Sequence, residues 1–278
     1  MKWIATKEQP ILAMLQEVAQ ESSKTTLRSW LSEGRIRVGG LTVKDPRKMV
    51  YPSTEVELKR KRQYLEEGIE LLYQDPHILV VYKPAGLLTI LTETDPMHNL
   101  HEILKRNFRR RTVHLVHRLD REVSGVMIFA FSEEAQTKLK TQFEEHSILR
   151  EYLAVVQGNI VASSGTWQSY LQEDANYFVR TTLDPELGKL ATTHFSVLQR
   201  SENTTTLRVT LETGRKNQIR VHASEAGHPV LGDEKYRSNR FFHGRVALQA
   251  CKLGIEHPIE KRPLVFIQEP DEEFLPYL

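Results

Sequence analysis

The stretch His117-Arg118-Leu119-Asp120-Arg121-Glu122-Val123-Ser124-Gly125 runs directly into the apolar segment Val126-Met127-Ile128-Phe129-Ala130. A short apolar run behind Ser and Gly reads as a strand, so Asp120 stands at a strand entry. Two arginines flank it, and neighbouring cations favour the charged form of an aspartate. An ionised carboxylate in that position can bind a cation, hold an arginine, or act as base or nucleophile. The surrounding residues alone leave these choices open.

The chain has 278 residues, enough for one or two domains with their own cores. No stretch approaches the roughly 20 apolar residues that span a bilayer, and Met1-Lys2-Trp3-Ile4 opens no apolar signal core. Cys251 is the only cysteine, which excludes an internal disulfide and argues against a cysteine-based zinc site. A cytoplasmic protein is expected. Residues 1–62 hold 13 Lys and Arg against 7 Asp and Glu, whereas residues 63–278 hold 25 against 29. A basic end on a near-neutral body suggests an arm that meets a polyanion.

Residues 1–58 read as a small separate module. Ile11, Leu12, Leu15, Val18 and Ala19 recur with helical period, and Leu27, Trp30 and Leu31 mark a second helix, capped by Ser22 or Ser23 and ended at Gly34. Gly39-Gly40 between Ile36-Arg37-Val38 and Leu41-Thr42-Val43 predicts a hairpin. Residues 59–69, opening with Lys59-Arg60-Lys61-Arg62, read as a basic linker.

From residue 70 the chain alternates strands and short helices. Ile78-Leu79-Val80-Val81-Tyr82 fits a buried strand ending in the turn Lys83-Pro84-Ala85-Gly86. Leu100, Ile103, Leu104 and Phe108 mark one helix, and Ala135, Leu139 and Phe143 another. Tyr152–Val156 reads as a strand. Leu207, Val209 and Leu211 alternate with Thr206, Arg208 and Thr210 as a half-buried strand, and a helix is expected near Asn217–Ala226. The alternation is too irregular for a doubly wound sheet. An α+β fold is expected, with a mixed, mostly antiparallel sheet and flanking helices.

Four segments carry a family resemblance. They are Lys83-Pro84-Ala85-Gly86-Leu87 after a strand, the stretch 117–125, Arg150-Glu151-Tyr152-Leu153-Ala154-Val155-Val156-Gln157-Gly158, and Gly214-Arg215-Lys216-Asn217-Gln218-Ile219-Arg220-Val221-His222 followed by Gly227-His228-Pro229-Val230-Leu231-Gly232-Asp233. Together, in this order, they resemble the RluA family of pseudouridine synthases. Residues 8–58 resemble an S4 RNA-binding domain through Leu27-Arg28-Ser29-Trp30-Leu31, Gly34-Arg35-Ile36-Arg37-Val38 and Asp45-Pro46. The resemblance implies a pseudouridine synthase fold over residues 70–278 behind a small S4-like α/β domain over residues 1–58.

It further implies isomerisation of a uridine within RNA, without cofactor or metal. Asp120 carries over as the catalytic aspartate, Arg220 as the cation paired with it, and Tyr152 as the active-site tyrosine. Arg118 matches the residue associated with flipping the target nucleotide, an extrusion that costs a few kcal/mol. Ile219 would lie under the base, and Lys83, Arg215 and Lys216 would meet phosphate. In the S4-like domain Arg28, Arg35, Arg37, Arg47 and Lys48 would face RNA. Ribosomal RNA, from the large subunit, is the favoured partner, with transfer RNA as the alternative. A monomer is expected.

Three positions depart from the family pattern. Val123 replaces Thr, Asn217 stands where His is frequent, and Thr89-Ile90-Leu91 replaces a Val-His-Pro-like tripeptide. None is expected to touch Asp120, Tyr152 or Arg220. Two other classes compete. A non-catalytic RNA-binding or ribosome-assembly factor has no need of the trio Asp120, Tyr152 and Arg220. A glycoside hydrolase needs a second carboxylate, for which Glu122 is the close candidate.

Overall fold

A computed structural model describes residues 1–59, 61–91 and 98–278, and the chain divides into two units, Met1–Arg62 and Gln63–Leu278. The first is built from β1 (Lys2–Ile4), β2 (Gln9–Pro10), α1 (Ile11–Val18), α2 (Lys24–Ser32), β3 (Ile36–Val38), β4 (Leu41–Thr42), β5 (Met49–Val50) and β6 (Glu55–Leu58). Ser23 caps α2, its hydroxyl accepting from the Thr26 N–H at 3.2 Å. Gly39 and Gly40 both take positive φ, the conformation a two-residue hairpin turn needs to follow strand twist. The strands order as β1-β6-β3-β4, with β2 and β5 as a separate pair. Ile11, Leu15, Leu27, Leu31, Ile36 and Val56 close a core of their own.

The second unit contains β7 (Gln63–Tyr64), β8 (Glu70–Gln74), β9 (Ile78–Lys83), α3 (Leu100–Asn107), β10 (His114–Leu115), β11 (Ser124–Ala130), α4 (Glu133–Glu144), β12 (Leu149–Gln157), β13 (Ser164–Glu173), β14 (Val179–Thr182), β15 (Lys189–Arg200), β16 (Thr204–Leu211), α5 (Gln218–Glu225), β17 (Leu248–Glu256) and β18 (Pro263–Ile267). These strands form one mixed sheet, ordered β14-β13-β15-β16-β12-β17-β11-β9-β8-β7, with β10 and β18 paired at its side. The β11–β17 pair is parallel and the other paired strands are antiparallel.

The apolar run after Asp120 becomes β11, near the middle of this sheet. Met127 and Phe129 face a core that includes α3, while Val126, Ile128 and Ala130 face one that includes α4. Burial on both faces explains an unbroken apolar run in place of alternation. Gly125 is fixed by a close approach: a Cβ there would lie 2.4 Å from the Ala250 carbonyl oxygen of β17.

Two expectations are corrected. The linker over residues 59–69 is in part structured, since β7 pairs with β8 and Glu66–Gly68 forms a 3₁₀ turn; Arg60 lies outside the described residues. In β16, Thr206 is buried where alternation expected it exposed, because its hydroxyl donates to the Tyr277 carbonyl of the C-terminal segment at 2.5 Å. Among the described residues no helix is long and apolar enough to cross a membrane.

Candidate active site

Asp120 sits in a loop gripped on both sides by the turn after β9. On one side Thr89 Oγ1 donates to the Leu119 carbonyl at 2.6 Å and accepts from the Leu119 N–H at 3.2 Å. On the other the Gly86 N–H donates to the Arg121 carbonyl at 2.8 Å, and Arg121 Nε donates back to the Gly86 carbonyl at 3.0 Å. The carboxylate between these two grips has little freedom to move.

Lys83 completes the clamp and corrects its expected role. It is fully buried, and its Nζ donates to the carbonyls of Leu87 (2.8 Å), Pro84 (3.0 Å) and Arg121 (3.3 Å). An ammonium with its three protons engaged inside the protein has none left for phosphate. Burial, then the Arg245 charge, pushes it down to about 7, against the raising effect of Asp120 and Glu122.

The cation that reaches Asp120 is neither sequence neighbour. Arg220, on α5 and 5 % exposed, donates from one guanidinium nitrogen to Asp120 Oδ2 at 3.1 Å and lies 3.6 Å from Glu122. Its other two nitrogens bind Asp233 in bidentate fashion, at 2.6 and 2.8 Å. Burial alone would lower the Arg220 pKa, but the Asp233 and Asp120 carboxylates outweigh it and raise it. Arg220 is therefore a fixed charge that orients Asp120. Asp233, with no side-chain exposure, fixes Arg220 in turn.

Asn217 is the second contact to Asp120. Its Nδ2 donates to Asp120 Oδ2 at 2.5 Å, while its Oδ1 accepts from Tyr236 Oη at 3.1 Å and Lys235 Nζ at 3.2 Å. Two donors on the oxygen fix which way the amide points. Two of the three departures from the family pattern thus bear on Asp120, contrary to expectation: Asn217 touches it, and Thr89 holds the residue before it. Val123 lies in the core, 2 % exposed.

The site opens as a cavity of about 360 Å³ lined by Arg118, Asp120, Tyr152, Lys216, Ile219 and Arg220. Burial raises the Tyr152 hydroxyl to about 12, so it is protonated at neutral pH. Ile219 is 4 % exposed and supplies apolar floor. Arg118 is exposed at the rim and makes no hydrogen bond or ion pair among the described residues. Arg215 and Lys216 are partly committed: Arg215 Nε donates to the Leu190 carbonyl at 3.0 Å, and Lys216 pairs with Glu173 and donates to the Tyr177 carbonyl at 3.2 Å. In the N-terminal unit Arg28, Arg47 and Lys48 are exposed and Arg37 is half-buried. Arg35 is turned inward, its Nε donating to the Lys59 carbonyl at 3.1 Å and its guanidinium lying over Trp30.

His117 shapes the loop as a neutral ring. It accepts the Ile128 N–H at 3.2 Å, stacks on Phe143, and is pushed down to about 3 by burial and then by Arg150. Burial takes His222, on α5, down to about 4. Unfolded, both bind a proton near pH 6.5, so below that pH the unfolded chain holds more protons than the fold. The stability they contribute is complete above 6.5 and is lost as pH falls towards 4 and then 3. Urea midpoints should therefore fall between pH 6.5 and 4, and His222→Gln should flatten that fall. A level wild-type midpoint would contradict the assignment.

A sequence profile of the RNA pseudouridylate synthase family matches residues 77–225. That span takes in Asp120, Tyr152 and Arg220. The chain belongs to the RNA pseudouridylate synthase family. It is an RNA pseudouridine synthase, an isomerase that converts uridine to pseudouridine, which removes the glycoside hydrolase and the non-catalytic factor as readings. The "Ribosomal large subunit pseudouridine synthase D" of Pseudomonas aeruginosa is 35% identical over 286 residues, covering 92% of this chain and 86% of that protein. The "Dual-specificity RNA pseudouridine synthase RluA" of Haemophilus influenzae is 35% identical over 210 residues, covering 74% and 95%. Among solved structures, "Human RNA Pseudouridylate Synthase Domain Containing 1" superimposes with a TM-score of 0.62 at 25% identity, over 76% of this chain and 86% of that one. In this synthase Asp233 lies beyond the matched span, yet it is the residue that holds Arg220. Only the Gly232-Asp233 motif pointed to it in the sequence.

Proposed function

We propose that this synthase isomerises uridine in large-subunit ribosomal RNA, with Asp120 as the reacting carboxylate. The observation that carries the catalytic assignment is the geometry at Asp120: one carboxylate, half-open to a cavity, oriented by a buried arginine and a fixed amide. The reaction breaks the bond from ribose C1′ to uracil N1 and joins C1′ to C5. The C5 proton leaves and N1 gains one. Asp120 reacts at the sugar–base junction, and protonated Tyr152 lies against the base, where its hydroxyl can exchange the C5 proton. Ile219 forms the apolar floor, and Arg118 fills the place of the flipped nucleotide.

The choice of RNA is supported by the 92% coverage of this chain by a large-subunit synthase. The helix–helix–hairpin order of the N-terminal unit, with Arg28, Arg47 and Lys48 exposed, supports its reading as an S4-like RNA-docking domain. A ribosomal RNA target supports a cytoplasmic location for the enzyme. The test is to map pseudouridines across all cellular RNA with and without the gene. A large-subunit site should vanish on deletion and return with the wild-type gene but not with Asp120→Asn. A lost site in transfer RNA alone would overturn the choice of RNA.

A further inference from the structure

Asn217 leads away from Asp120 to a second cavity. On the far side of Tyr236 lies a space of about 390 Å³, lined by Phe178, Arg180, Lys235, Tyr236 and Arg237, with Glu225 as its one carboxylate. Pockets of a few hundred Å³ suit a small ligand or one monomer of a polymer. Three cations against one carboxylate favour an anion, with Lys235 Nζ already donating to Asn217 Oδ1 at 3.2 Å. Arg180 is partly neutralised by Asp174 at 2.5 Å, but the Arg237 side chain is exposed and makes no hydrogen bond or ion pair among the described residues. Arg237 also holds a left-handed backbone, φ 70°, a conformation costly for a residue with a side chain. Phe178 belongs to a cation–aromatic cluster, with Tyr236 at 5.1 Å and Arg180 and Lys235 over its ring at 5.7 and 5.4 Å, and a flat ring can extend that stack.

The geometry points to this cavity as the subsite for a second nucleotide of the RNA, with its phosphate on Arg237 and its base against Phe178. The cavity communicates with the reacting carboxylate by direct contact. The Tyr236 hydroxyl donates to Asn217, and Asn217 donates to Asp120. A nucleotide seated there bears on the residue that positions Asp120, so occupancy favours turnover. Tyr236 is a positioning residue in this scheme, acting through Asn217. The inference rests on the Asp120 cavity as the uridine site.

Two variants and two readouts test it, using the full-length protein and an in vitro transcript of large-subunit ribosomal RNA. Arg237→Gln keeps the left-handed backbone cost and removes the charge. It should raise KM about tenfold and flatten the dependence of log binding constant on log salt by about 0.7–0.9, the signature of one lost phosphate contact. Tyr236→Phe keeps the ring and should lower kcat about tenfold with KM unchanged. An unchanged KM and salt slope in Arg237→Gln overturns the subsite, and an unchanged kcat in Tyr236→Phe overturns the link to Asp120. The salt slope is read from binding alone. A wild-type enzyme that binds this transcript without forming pseudouridine would count against the choice of RNA, and the slope would still decide the subsite.

Discussion

Asp120→Asn is expected to lower kcat by on the order of 10⁴-fold or more, with RNA affinity changed by no more than a few-fold. The asparagine has the same shape, and its amide oxygen can still accept from Asn217 Nδ2 and the Arg220 guanidinium, which hold Oδ2 at 2.5 and 3.1 Å. The loop keeps its clamps at Leu119 and Arg121, because these use backbone groups. What disappears is the negative charge, and with it any capacity to attack carbon or take a proton. The measurement is release of tritium from RNA labelled at uracil C5, the hydrogen the isomerisation displaces, beside a filter-binding assay with the same RNA. Turnover within tenfold of wild type would remove Asp120 from the reacting role. Binding lost in parallel with turnover would mean that the carboxylate serves to build the site.

Local chemistry was legible in the sequence, and long-range partnership was not. The α2 cap at Ser23, the Gly39-Gly40 hairpin, and the helices marked by Leu100, Ile103 and Leu104 or by Ala135 and Leu139 all follow from residues within one turn of each other. The buried β11 was readable as an apolar run, but its parallel pairing with β17 was not, because that contact joins segments more than 100 residues apart. The same limit governs the site. Asp120 was conspicuous for its two flanking arginines, yet the structure gives it Asn217 and Arg220, 97 and 100 residues away, and aims both neighbours elsewhere. Pairing of Asp120 with Arg220 was legible through the resemblance; dependence of Arg220 on Asp233 was not. Lys83 shows the reverse error. A lysine at a turn reads as a surface charge by composition, and only the fold reveals three carbonyls converging on it. Asn217 departs from the family pattern at a position whose closeness to Asp120 only the fold discloses, since 97 residues separate the two in sequence.

Arg220→Met should lose activity and stability together, and the two losses can be separated. The arginine side chain is 6 % exposed and its partner Asp233 is wholly buried. Removing one member of such a pair leaves a bare charge in the interior, at a cost of about 3–5 kcal/mol. Asp233 would keep only weaker backbone contacts such as the Tyr236 N–H at 3.3 Å. Activity should fall about 10²–10³-fold or more, since Asp120 loses the cation that orients it. Arg220→Lys should recover little, because one ammonium cannot reproduce the bidentate contact to Asp233 and also reach Asp120. The double variant Arg220→Met/Asp233→Leu distinguishes the two causes. Apolar side chains of similar volume in place of a buried ion pair are often neutral or stabilising, so most of the lost stability should return. Turnover should not return, because the Asn217 amide alone then holds Asp120 and its cation is gone. Urea denaturation and the tritium-release assay on the same three proteins give both readouts. A single variant as stable as wild type would show that Asp233 is not left stranded, and a double variant that regained turnover would show that Asp120 works without Arg220.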